Sequence, residues 1–523
     1  MKRSCRMFFL ICHVILTAWW LGVSTAGADV KLPAIFSDNM VLQRDMPVPV
    51  WGCAAAGEEV TVTIAGQTKK AAPDASGKWR LTLEALKTSD NPCTMVVSGK
   101  NTLTLSNVLV GEVWIGSGQS NMQMAVISSN NAKEEIAAAN YPKIRLISVP
   151  IKGASEPQDN FTGKWVECSP ATVGHFSAAE YFFGRELQKT LNVPIGLIHC
   201  SWGGSSCEAW TKRSVLEGNP LYEPMLARYD KAVAAYDPEK AKAAHEKRVV
   251  DWKKAAEAAK AANKKAPYPP HFAGDPRTGN QRAANLYNGM LHAVIPYAIR
   301  GAIWYQGESN AGRAYQYRQL FPLMIQTWRT DWHQGDFPFL FVQLANFMAV
   351  KPEPAQSNWA ELREAQSMTL KLPNTGQAVI IDIGDAVDIH PKNKQDVGKR
   401  LALWALAKTY GKDLVYSGPM YRSMEKQDGQ IVLHFDHVGG GLVAKGGEKL
   451  TGFAVAGEDK KFVWAEAKIV GDTLVVSSPK VKDPVAVRYA WADNPICNLY
   501  NKADLPASPF RTDDWPGLTV NSR

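Results

Sequence analysis

The 523 residues include 46% hydrophobic and 21% charged residues, the composition of an ordinary globular protein. The formal charge of +9, or +6 without the basic Lys2, Arg3 and Arg6, is mild and sits largely in a Lys/Ala-rich stretch around 231–266, so no nucleic-acid partner is needed to explain it. The cysteines beyond residue 28 are Cys53, Cys93, Cys168, Cys200, Cys207 and Cys497, too few for a disulfide-built scaffold and without the CxxC spacing of a zinc site.

Residues 1–28 read as a signal peptide. A basic start precedes an apolar run from Met7 to Val23, and Ala26-Gly27-Ala28 places small residues before a cleavage point at Asp29. The run is short for a membrane span, and no later segment is apolar enough to be one. Cys12 lies inside the run rather than at its end, which argues against a lipoprotein. The expected product is exported, to the periplasm or the medium, with no stable membrane insertion. Export permits disulfides, and Cys200 and Cys207 either pair or stay as buried thiols. The roughly 495 residues that remain exceed one ordinary core, which implies two to four domains.

Residues 29–108 alternate like a small β-domain. "VTVTI" from Val60, "WRLTL" from Trp79 and "TLTL" from Thr102 have period two, with turn residues between them. From 109 to 410 apolar runs alternate with helices. The runs are "LVGEVWIGSG", "KIRLISV", "VPIGLIHC", "RGAIWYQG", "FPFLFVQL" and "QAVIIDIG"; the helices are Ser177 to Leu191, with capping-box spacing between Ser177 and Glu180, and stretches near 319–333, 359–371 and 393–410. This predicts a parallel sheet covered by helices on both faces. About 213–283 reads as an insertion, helical and charged first and then Pro/Gly-rich. From 411 to 523 the alternation returns in "IVLHF", "TLVVSS" and "VAVRYAW", a second β-region.

In such sheets the active groups gather past the carboxyl ends of the strands. After the first strand of the middle region comes Ser120 in "GQSNM". After Cys200 comes "SWGGSS" with Gly203 and Gly204. After "AIWY" comes "QGESN" with Gln306 and Asn310. After "VIIDIG" comes "DAVDIHP" with Asp385, Asp388 and His390. Alone, each loop is more simply a turn: a serine between small residues, a tight glycine turn, an asparagine at a strand exit, a histidine before proline. Together they supply what ester cleavage requires. A serine hydroxyl needs a base to take its proton, histidine titrates in the right range, and a carboxylate fixes its tautomer. Backbone N–H groups and an amide stabilise the oxyanion, each worth about 10²–10³ in rate. No metal or other cofactor is required. Ser205, Ser206 and Ser309 are rival serines, but none has the asparagine–methionine exit of Ser120.

The motif is not a GxSxG elbow, because Met122 stands where the second glycine belongs. The order Ser, Gly, Asn, then a close Asp–His pair resembles the SGNH hydrolases, and more narrowly the sialate O-acetylesterase family. The matching stretches are "GEVWIGSGQSNMQM", "LIHCSWGGSSCEAW", "LYNGMLHAVIPYAIRGAIWYQGESNA" and "GDAVDIHPKNKQDVGKRLA"; the opening "LPAIFSDNMVLQRDMPVPVWG" and the later β-region also fit, so the resemblance covers nearly the whole chain after the leader. It implies an α/β fold with an SGNH-hydrolase-type three-layer parallel sheet domain, flanked by N- and C-terminal β-sandwich-like regions. It implies Ser120 as nucleophile and His390 as base, with an oxyanion hole from the N–H of Ser120, the N–H of Gly204 or Gly203, and the amide of Asn310, Gln306 being the alternative. Many SGNH enzymes carry the acid three residues before the histidine, where Val387 stands here; Asp388 is preferred, Asp385 is the alternative, and a Ser–His dyad is a third possibility.

The expected partner is an acetylated sugar or glycan, most simply O-acetylated sialic acid, with Arg282 or Arg313 meeting its carboxylate and Trp202 or Trp210 forming a wall. An acetylxylan or other polysaccharide acetylesterase is the alternative. A glycan-binding protein with a dead central domain is the reading from another class.

Overall fold

The computed structural model describes residues 29–270 and 274–523, so the signal peptide predicted for residues 1–28 lies outside the described residues. Among the described residues no helix is long and apolar enough to cross a membrane. The protein is a mixed α/β structure, with a central eleven-stranded mixed sheet and further, smaller β-sheets.

Besides Val41–Gln43, which pairs parallel with the middle of β1, six strands of the central sheet run parallel: β1 (Thr102–Gly118), β2 (Tyr141–Ser148), β3 (Ile195–Ser201), β4 (Gly301–Tyr305), β5 (Phe339–Val342) and β6 (Thr375–Ala378). Their spatial order is β6-β5-β4-β1-β3-β2, so β1 lies inside the sheet and the order reverses around it. Val166–Cys168 adds an antiparallel edge beside β2.

Side chains alternate between two cores, as the pleat requires. Val113 and Ile115 of β1, Ala302 and Trp304 of β4, and Phe339 and Phe341 of β5 face one core, where α2 (Ala314–Trp332) and α3 (Asn358–Met368) pack. Trp114, Ile303, Leu340 and Val342 face the other, under α1 (Ala178–Leu191) and α4 (Lys394–Trp404). Each large apolar side chain buried this way contributes roughly 1.5–3 kcal/mol. The Ser177 hydroxyl caps α1 by accepting from Glu180 N–H at 3.2 Å. The capping box is not closed, because the Glu180 carboxylate turns inward to His199 Nδ1 at 3.3 Å.

The structure changes two strand readings. "TLTL" and "LVGEVWIGSG" are one 17-residue strand, β1. Its first half pairs antiparallel with Ser89–Ser98 and its second half with β3 and β4, so the sheet is mixed rather than parallel throughout. The run "QAVIIDIG" is strand only to Ala378, so none of "VIIDIG" is in the sheet. Ile380 is buried in the α1/α4 core, whereas Val379 and Ile381 are buried in the core of the C-terminal β-region, so the chain leaves the sheet to run between the two. Asp382 then anchors the junction, holding Arg400 through two hydrogen bonds of 2.5 and 2.7 Å and accepting from Tyr500 Oη at 3.0 Å.

The 213–283 stretch contains the helices Glu223–Ala234 and Pro238–Ala261. All six described cysteines are free; Cys200 and Cys207 are buried thiols rather than a pair, and burial pushes both up.

Candidate active site

β1 ends on Gly118, whose φ of +137° and an added Cβ 2.2 Å from Tyr305 O admit glycine alone. This close approach of β1 to β4 lets the chain turn at once into the short helix Ser120–Gln123. Ser120 is therefore at the strand end, half-buried, with a first-turn N–H that has no partner within the helix.

His390 comes from the loop between β6 and α4, and its Nε2 lies 2.8 Å from Ser120 Oγ. The structure thus joins two residues separated by 270 positions at hydrogen-bonding distance. Asp388 Oδ1 lies 3.4 Å from His390 Nδ1 and accepts from the His390 N–H at 2.9 Å. Asp385 instead holds the turn, its Oδ1 accepting from Val387 N–H at 2.8 Å and Asp388 N–H at 3.3 Å. Geometry therefore favours Asp388 beside the imidazole.

The Asp388 side chain is 47% exposed, so solvent screens its charge. Asp388→Asn is expected to lower kcat/KM about 10-fold, well short of the ~10⁴-fold effect of a buried triad aspartate. Asp385→Asn is expected to cost less. Steady-state acetate release by both variants checks this, and a larger loss in Asp385→Asn would make Asp385 the acid.

The glycine loop is held from three sides. Gly203 donates from N–H to Gln123 Oε1 at 2.7 Å, and its carbonyl accepts from Asn280 Nδ2 at 2.6 Å. Gly204, at φ +71°, has a carbonyl that accepts from Ser309 Oγ at 3.0 Å and from Gln281 Nε2. Of the two, Gly203 is packed against the serine: a Cβ there would lie 3.4 Å from Ser120 Cβ.

Asn310 and Gln306 lie in a buried polar network behind this loop. Asn310 Nδ2 donates to Glu208 Oε2 at 2.9 Å, while its Oδ1 accepts from Cys207 N–H at 2.9 Å and from Gln306 Nε2 at 2.7 Å. Gln306 Nε2 also donates to Ser205 O at 3.1 Å, which uses both of its protons. That leaves Asn310 with one proton for an oxyanion and Gln306 with none, so Gln306 is withdrawn as the alternative.

Arg313 is not an open carboxylate receptor: it is half-buried and donates to Glu208 Oε1 at 2.5 Å and to Gln316 Oε1 at 2.7 Å. Burial alone would push the Glu208 carboxyl up, but Arg313 and the Asn310 amide outweigh it and hold it down. Arg282 is less committed, with Nη2 3.8 Å from Asp230 and a buried Nε that makes no hydrogen bond. Trp202 is half-buried against the core beside Gly203. Trp210 is fully buried, donating to Ser205 Oγ at 2.9 Å, and presents no face to a sugar.

Among the rival serines, Ser205 donates to Gly118 O at 3.2 Å, Ser206 to Gln281 O at 3.0 Å and Ser309 to Gly204 O, so all three brace loops. A second Ser–His–acid chain does exist: Ser201 Oγ lies 3.1 Å from His199 Nε2, whose Nδ1 meets Glu180. Ser201 is 2% exposed and offers no access to a substrate. Sequence reading missed Gln123, Asn121, Glu308 and Lys394, although each stands within four residues of a nominated loop residue.

A family model described as carbohydrate esterase, sialic acid-specific acetylesterase matches residues 110–244 and 276–407. The sialate O-acetylesterase of Mus musculus is 30% identical, over 93% of this chain and 95% of its own. That of Homo sapiens is also 30% identical, over 95% of this chain and 96% of its own. The crystal structure of a carbohydrate acetylesterase from Xanthomonas citri superposes with a TM-score of 0.79 at 39% identity, covering 93% of this chain and all of that one.

Proposed function

Because the chain belongs to the sialic acid-specific acetylesterase family of carbohydrate esterases, and is thereby a carboxylic ester hydrolase acting in sugar O-deacetylation, we propose that it releases acetate from O-acetylated sialic acid through an acetyl-serine on Ser120. The observation that carries the mechanism is the 2.8 Å contact between Ser120 Oγ and His390 Nε2. Ser120 Oγ attacks the acetyl carbon while Nε2 takes its proton. The oxyanion forms against the Ser120 N–H and the glycine loop, with Asn310 behind it. His390 returns the proton to the sugar oxygen as the ester C–O bond breaks. Water then gives a proton to Nε2 and adds to the acetyl-enzyme; acetate leaves as Ser120 recovers its hydrogen. The fold around this site is the SGNH type, and export rests on the basic and apolar segment at residues 2–23.

Sialic acid is supported by the names of the matching family and of the mammalian relatives. Arg282 is the group we assign to the sialic carboxylate, since Arg313 is committed to Glu208. The same commitment favours a second reading, in which the substrate is an acetylated neutral polysaccharide such as xylan. Acetate release from O-acetylated sialic acid and from acetylated xylan, measured side by side with Ser120→Ala as blank, separates the two. Faster release from sialic acid, with KM raised in Arg282→Ala, is expected; release mainly from xylan would overturn the substrate and keep the mechanism.

A further inference from the structure

The peptide segment that carries His390 is pinned on both sides by buried side chains. Asn121, the residue after Ser120, donates from Nδ2 to Ile389 O at 3.0 Å and to Glu308 Oε1 at 2.7 Å. Lys394, fully buried at the start of α4, donates from Nζ to Pro391 O at 2.8 Å and to Asn121 Oδ1 at 2.7 Å. The carbonyls immediately before and after His390 are thus each held, and the two holds meet at Asn121.

A buried lysine and a carboxylate with one oxygen buried and unpartnered are costly, and closing this turn does not require them. An apolar plug of the same volume closes a turn without that cost. Burial brings the Lys394 ammonium down to about 7 against the pull of Glu308 and Asp388, and pushes the Glu308 carboxyl up against the pull of Asn121, Lys394 and His390. Lys394 Nζ also lies 5.0 Å over the Tyr305 ring, and Glu308 Oε2 is buried with no hydrogen-bond partner. What these groups secure is placement. The serine and the histidine lie 270 positions apart in the chain, and Asn121 links them through a residue bonded to the serine and a carbonyl bonded to the histidine.

We propose that Asn121, Lys394 and Glu308 form a positioning unit for His390 that fixes where its Nε2 meets the Ser120 hydroxyl. The inference rests on the reading of Ser120 and His390 as the reacting pair. A displacement of about 1 Å at such a contact costs on the order of 10²-fold in rate.

The test uses the full mature chain with Lys394→Met, Asn121→Asp, Glu308→Gln and Glu308→Leu. Active sites are counted by stoichiometric labelling of Ser120 with an organophosphonate, and kcat is expressed per labelled site. Lys394→Met and Asn121→Asp are expected to lose on the order of 10²-fold in kcat with KM within about 2-fold. Glu308→Gln keeps the acceptor for Asn121 and is expected to stay within about 3-fold of wild type, whereas Glu308→Leu falls with the others. Counting by label removes the loss that unfolded molecules would cause, and rescue by glutamine marks a hydrogen-bonding role. Should Lys394→Met fail to fold, Asn121→Asp, which exchanges an NH₂ for an oxygen, decides. Full kcat in Asn121→Asp, with Ser120→Ala and His390→Ala inactive, would overturn the positioning unit and leave the reacting pair standing. Full activity in Ser120→Ala would show instead that the reaction itself was misassigned.

Discussion

Ser120→Ala is expected to lower kcat for acetate release by on the order of 10⁵–10⁶-fold, and His390→Ala by a comparable factor. In the proposed mechanism the hydroxyl and the imidazole act as one unit, because a serine O–H is a poor nucleophile until a base takes its proton. At 2.8 Å, His390 Nε2 is placed to take it. Residual rate above the uncatalysed reaction, about 10³–10⁴-fold, is expected to survive in both variants, since the oxyanion donors and the binding surface remain. Both side chains are at least partly open to solvent, so removing them leaves the cores intact, and thermal unfolding is expected to stay near wild type. A loss of activity accompanied by an equal loss of folded protein would count against a chemical role.

The second large effect is expected at Gly203. A Cβ on this residue would lie 3.0 Å from Gln123 Oε1 and 3.4 Å from Ser120 Cβ, a squeeze between the proposed nucleophile and the side chain that holds the loop. The loop must move away from the serine and carry the Gly204 N–H with it, the Gly203 N–H being already donated to Gln123 Oε1, and one lost oxyanion donor is worth about 10²–10³ in kcat. Gly203→Ala is therefore expected to lose about that factor with little change in KM. Gly204→Ala supplies the contrast. Its Cβ would meet nothing nearer than Asn280 Nδ2 at 3.4 Å, and its φ of +71° adds ~1–2 kcal/mol of backbone strain, a stability cost rather than a chemical one. Steady-state kinetics and thermal unfolding of the two alanine variants check this together. Full kcat in Gly203→Ala would contradict this.

How far the sequence could be read depended on what each residue type can signal. The parallel strands were legible because residues buried on both faces leave a continuous apolar run, and the loops that follow them presented Ser120 and His390 in readable order. The continuity of β1 was not legible. Its first half is half-buried on one face and alternates, its second half is buried on both faces and does not, so one strand carries two patterns. The strand "VIIDIG" was overextended because its isoleucines are apolar for another reason: they serve two different cores. Spacing alone left Asp388 and Asp385 open, because what separates them is which carboxylate turns toward the imidazole. Glu308 and Lys394 gave no signal, since a charged residue in a loop or at a helix start reads as solvated. Their burial comes from the closure of the β6–α4 loop over the β1 and β4 ends, a long-range fact. Arg313, nominated for its charge and loop position, proved to be the counter-ion of Glu208.

The most direct test of the central claim, that Ser120 and His390 act together in sugar O-deacetylation, is the double-mutant cycle of Ser120→Ala and His390→Ala read by acetate release from O-acetylated sugar. If the pair acts as one unit, either single variant loses nearly all of the rate and the double variant loses no more. Losses that multiply, or activity that survives Ser120→Ala, would contradict it.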